Sequence, residues 1–254
     1  MPRRRTGSTE GVRSREVHDG HDVAGSAGAT AILDWEHPLV AGLVTRVRHI
    51  TAPLDAPLDT LRAAHRIVAR EVRPVYSVED GRRASRTLAL GRGSCSQRMA
   101  VLEAVARATG VPTRVRGLLV DGAFWYPRFP RLRPLVPEQV LLAWPEFRIE
   151  GTWVPVGELF GEPSGVGGFT NRGSETLFDA VARTGIRWDA PAPGCDGTAA
   201  CDLSARVRVD LGYFTSRDDL FARHGQTLCR TARTVSEPVL GRWSAGARTT
   251  GTAA

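Results

Sequence analysis

Gly91-Arg92-Gly93-Ser94-Cys95-Ser96-Gln97-Arg98 is the stretch on which the reading of this chain turns. It runs into a segment, 96–109, whose Met99, Leu102, Val105 and Ala106 fall on one helical face. Gly110 is a natural stop for that helix, and Pro112 lies just beyond it. Cys95 therefore stands at a helix start, where unpaired backbone N–H groups and the positive end of the dipole favour thiolate over thiol. The glycines before it, Gly93 in particular, allow a substrate to approach the backbone closely. A nucleophile in this position is where cysteine acyl-transfer chemistry begins, and the same N–H groups can hold an oxyanion. A single cysteine is more often a buried packing residue, so the case depends on its surroundings.

Upstream, His37-Pro38 breaks the chain before a helix over 39–50. Residues 57–72 form an amphipathic helix, with Pro57 in its first turn and Asp59 near the positive dipole end. His65 shares an apolar stripe with Leu61, Val68 and Val72 and reads as a core histidine rather than a catalytic one. Downstream, three strands follow: 113–120, 140–147 and 153–156. Asp121-Gly122 and Glu150-Gly151 supply turns, and a Pro- and Arg-rich loop spans 125–137. The expected class is α+β, with the helix that starts at Cys95 packed on an antiparallel sheet.

The Gly-x-Gly-x-Cys run, the helix, and then Gly110-Val111-Pro112-Thr113-Arg114-Val115 resemble the core of the transglutaminase-like superfamily, a papain-like cysteine fold. Ala143-Trp144-Pro145-Glu146-Phe147 and Gly151-Thr152-Trp153-Val154-Pro155-Val156 are similar to the family's hairpin. The resemblance covers roughly 40–158. It implies Cys95 as nucleophile, in amide hydrolysis or acyl transfer on a peptide-like or carrier-bound substrate, without cofactor or metal. It also exposes two departures. The family's His position holds Leu142, and its Asp position holds Gly157, followed by Glu158. Three substitutes are conceivable: Gln139 in a longer hairpin, Glu158 after a one-residue shift, and His224 folded back from downstream. Without a general base, turnover is expected to be impaired. The alternative is a catalytically degenerate relative that binds a peptide or protein partner in its cleft. Trp144, two residues from Leu142 on the same strand face, is expected to wall the groove, and Trp153 to pack in the core.

The chain of 254 residues has 42% apolar and 24% charged residues, the balance of a globular protein. All 34 basic side chains are arginine, as a GC-rich bacterial coding bias produces, and the net charge is +7. The arginines are scattered, without aromatic interleaving, which argues against a specific nucleic-acid partner. The four cysteines form no Cys-x-x-Cys pair, so zinc or thioredoxin-like chemistry is not expected, and Cys195 and Cys201 would pair only in an oxidising compartment. No signal-peptide pattern or membrane span is read, which points to a cytoplasmic protein with no membrane partner. Residues 1–30 read as a disordered tail, 31–161 as the domain, 162–243 as an extension of unassigned role and 244–254 as a flexible tail. Helices over 174–184 and 216–224 are expected within the extension.

Overall fold

The computed structural model describes residues 23–52, 56–160, 168–191 and 202–245. The expectations for residues 1–22, for Cys195 and Cys201, and for the last residues from 246 fall outside them. Three helices precede the cysteine: α1 (Pro38–Thr51), α2 (Pro57–Glu71) and α3 (Ala84–Leu90). Proline at the first turn of α1 and α2 fixes φ where no N–H partner is needed. His37 caps α1 by accepting the Leu39 N–H at 3.2 Å. Two short strands, β1 (Arg73–Pro74) and β2 (Arg92–Gly93), pair in parallel and deliver the chain to α4 (Cys95–Ala108).

Sequence dictates both ends of α4. Ser94 and Gln97 form a capping box: the Ser94 hydroxyl accepts the Gln97 N–H, and the Gln97 carboxamide accepts the Ser94 N–H at 3.0 Å. At the other end Gly110 turns left-handed at φ 83°, its N–H reaches Arg107 O, and the Val111 N–H reaches Ala106 O at 2.9 Å. This pair of bonds is a Schellman stop. Between the caps, Met99, Val101, Leu102, Val105 and Ala106 are all but inaccessible, so α4 is the central rod of the core.

The expected strands are present as β3 (Thr113–Asp121), β4 (Gln139–Ile149) and β5 (Thr152–Pro155). Glu150 and Gly151 both take positive φ, the two-residue hairpin turn anticipated between β4 and β5. The sheet has a fourth member, β6 (Val207–Phe214), giving the antiparallel order β5-β4-β3-β6. The fold is thus α+β, helices packed on an antiparallel sheet.

Three parts differ from the sequence reading. Val23–Thr30 does not behave as tail, because Ser26 pairs with Thr113 and the Thr30 hydroxyl donates to Asp218 at 2.6 Å. The helix expected over 174–184 contracts to α5 (Leu177–Ala180), held by a Thr176–Asp179 capping box. The extension contributes β6, α6 (Arg217–His224) and α7 (Arg230–Leu240) to the same body. β6 escaped notice because its edge position leaves it partly exposed, without a clean alternation of burial. α7 escaped because Pro238 lies inside it.

Candidate active site

Cys95 is half-buried at the first turn of α4 and opens into a cavity of about 610 Å³. The walls are mostly apolar. Tyr76 comes from the β1–α3 connection, Phe124, Trp125 and Phe129 from the β3–β4 connection, Leu141 and Leu142 from β4, and Val239 and Leu240 from α7. Leu142 therefore stands with Cys95 in one chamber, the position that the register from Trp153 anticipates. Its partner across the sheet is Leu118, so nothing polar replaces the missing imidazole from the neighbouring strand. Among the described residues no histidine lines the cavity, and the one carboxylic acid there is Asp80.

Asp80 was missed in the sequence, where it sits in an unremarked turn with Glu79 and Gly81. Burial of its carboxyl pushes its pKa up to about 7, against the opposing pull of the Arg217 and Arg233 cations and a hydrogen bond with Ser96. Ser96 follows Cys95 directly and links Asp80 to a buried ion pair. Arg217 Nη1 donates to Ser96 Oγ at 2.9 Å, and its Nε donates to Glu103 Oε1 at 2.5 Å. Arg217 and Glu103 are both inaccessible to solvent. Burial raises the Glu103 pKa, and the Arg217 cation offsets part of that rise. A cation is thus fixed under the first turn of α4, bound to the residue next to Cys95, and α6 carries it.

The remaining expected site residues stand elsewhere. Gln139, at the exposed start of β4, pairs with Asp121 and is absent from the cavity wall, so the hairpin is not lengthened. Glu158 is exposed and ion-pairs with Arg187 at 3.3 Å. His224, at the exposed end of α6, packs edge-on against Phe214 with centroids 5.4 Å apart. Gly93 is buried for a packing reason: a β-carbon there would meet the Thr87 methyl at 2.8 Å and the Gln97 side chain at 3.2 Å. Trp144 is a core residue rather than a groove wall. Trp188 covers it edge-on at 5.7 Å, and it is only 3% exposed. Trp153 is the more exposed of the two, stacked under the Arg114 guanidinium at 4.5 Å. His65 is the satisfied core histidine expected, its Nε2 2.7 Å from Phe178 O and its ring stacked on Phe178.

The segment 177–188 packs on this part of the hairpin: Trp188 covers Trp144, Arg187 pairs with Glu158, and Ile186 N donates to Gly157 O at 2.8 Å. A side chain at 157 would collide with the Ile186 carbonyl and with Trp144.

α7 closes the opposite side of the cavity. Its Glu237 accepts from Ser77 Oγ at 2.8 Å and from Val78 N at 2.9 Å, and pairs with the buried Arg82. Arg82 also donates to Gln97, the capping-box residue of α4, at 3.0 Å. The wall of the cavity and the cap of α4 thus share one hydrogen-bond network. Among the described residues, no three His, Cys, Asp or Glu side chains group as metal ligands would. No described helix is long and apolar enough to cross a membrane.

A cysteine at the capped start of a core helix, facing an antiparallel hairpin, defines a papain-like cysteine domain. Residues 44–157 match the family model of the transglutaminase-like superfamily, and this segment is a transglutaminase-like domain. No curated protein matches the chain.

Proposed function

We propose that Cys95 accepts apolar acyl groups from carriers that leave as stable anions, such as thioesters, and passes them to a second nucleophile. One observation carries this reading: Cys95 opens into an apolar cavity that, among the described residues, holds a single carboxylic acid and no histidine. The thiolate attacks the acyl carbon, the carbonyl re-forms, and the carrier's C–S bond breaks with its electron pair leaving on sulfur. Such a leaving group needs no proton. An amine does need one, and the imidazole that normally delivers it is replaced by Leu142. Asp80, poised near neutrality, takes the proton from the Cys95 thiol, and the first-turn N–H groups of α4 face the developing oxyanion. The exposed side chains of Leu135, Val239 and Trp243 at the cavity wall suit an acyl chain better than a charged peptide.

The test is intact-mass analysis after incubation with a medium-chain acyl thioester and with the matching acyl amide. A hydroxylamine-labile adduct on Cys95 from the thioester alone is the expected result. Equal adduct formation from both substrates, or none from either, would refute the reading. A second reading, a non-catalytic cleft that binds a peptide or protein partner, is favoured by Leu142 and Gly157. It predicts no adduct under any condition.

A further inference from the structure

A second concave surface lies on the other side of α7, a cleft of about 1020 Å³ between that helix and α3. Its two carboxylates, Glu79 and Glu237, are both engaged by Arg82. Six more arginines line it: Arg83, Arg86, Arg92, Arg230, Arg233 and Arg242. None of the six has an ion-pair partner among the described residues. Three are held in place through backbone carbonyls: Arg92 by Gly241 at 2.9 Å, Arg233 by Leu228 at 2.8 Å and Arg242 by Pro238 at 2.9 Å. α7 begins at this cleft and has no side-chain cap, so the positive end of its dipole adds to the same field.

We propose that this cleft binds a ligand bearing two or more linked phosphates. Guanidinium groups that outnumber the carboxylates beside them repel one another, and a multivalent anion relieves that repulsion at several of them together. Planar guanidinium forks match phosphate oxygens two at a time. Arginines already tethered by a carbonyl lose less side-chain freedom when they bind. The site is independent of the chemistry at Cys95, which it does not touch.

Calorimetric titration of the full chain with sodium tripolyphosphate, at about 0.15 M salt where diffuse surface charge is screened, tests the proposal. Saturable one-to-one binding is expected. The double variant Arg86→Gln/Arg230→Gln should weaken it at least about tenfold, the loss of two charge-assisted contacts. Arg62→Gln/Arg66→Gln, two exposed changes on α2 outside the cleft, should leave it unchanged. Co-sedimentation with phosphatidate vesicles separates the sources. Tripolyphosphate binding without sedimentation assigns a soluble phosphate ester. Sedimentation lost in the cleft variant, without tripolyphosphate binding, would overturn linked phosphates in favour of a phosphomonoester lipid headgroup. The proposal is overturned if neither probe binds, or if the α2 variant loses as much affinity as the cleft variant, since net charge alone would then account for the binding.

Discussion

The carbonyl of Ile186 occupies the space into which a side chain at Gly157 would have to project, and the Ile186 N–H bonds back to the Gly157 carbonyl at 2.8 Å. A side chain at 157 is therefore excluded by the Ile186 backbone. Leu142→His should not establish amide hydrolysis, because no carboxylate at 157 can orient the new imidazole. Gly157→Asp should lower stability by about 1–3 kcal/mol or more, as overpacking does. Thermal melts and an amidase assay on both single variants check this. Substantial amidase activity in Leu142→His would mean that Glu158 leaves Arg187 and serves the imidazole.

Cys95 and Cys229 should differ in which reagents they prefer. Cys95 lies in an apolar chamber and Cys229 is exposed. An apolar maleimide should label Cys95 faster than Cys229, and charged iodoacetate should lose that preference. Mass-mapped labelling across pH 5–9 reads both. If Cys95 labels no faster than Cys229 with either reagent at every pH, the thiol is a packing residue and the acyl-transfer reading fails with it.

Asp80 should leave a mark on the pH dependence of stability. Its folded pKa, about 7, lies above its ordinary value of 3.8. Between those values the folded protein holds a proton that the unfolded chain has released. Stability from this group is therefore complete below about pH 4 and declines as pH rises toward 7. Asp80→Asn should remove that decline. His65 has the opposite sign: burial lowers its pKa, so the unfolded chain takes up a proton first and stability falls as pH drops below 6.5. Urea unfolding at pH 4.5 and 7.5, on wild type and Asp80→Asn, separates the two. An unchanged difference between those pH values in the variant would show that Asp80 does not hold the proton.

Glu237 ties α7 to the body through Ser77, Val78 and Arg82. Glu237→Ala should cost about 1–3 kcal/mol, chiefly because the buried Arg82 loses one of its two carboxylate partners. Amide exchange over 230–240 should rise, and Cys95 should alkylate faster as the wall loosens. Faster exchange without faster alkylation would show that reagents enter between Leu135 and Trp125 instead.

The segment 91–115 was legible because its signals are local: glycines before the cysteine, a helical period and a glycine stop each determine structure within a few residues. The Leu142 register followed from counting along β4 and β5. What was not legible depends on contacts distant in sequence. Trp144 reads as a groove residue by alternation until Trp188, 44 positions later, covers it. Asp80 looks like any acidic turn residue until the Ser96 side and the 76–80 connection enclose it. The edge strand β6 and the proline-containing α7 lack the local marks that set the earlier elements apart.

Arg217 and β6 carry a consequence for how this domain can be handled. The match to the superfamily ends at residue 157, yet the cation beneath the first turn of α4 and the fourth strand of the sheet come from beyond 200. The matched stretch is thus no interchangeable cassette. Grafting it onto another scaffold would carry over the thiol but leave Glu103 with an uncompensated charge in the interior, and a chimera meant to transplant the chemistry would have to take both halves.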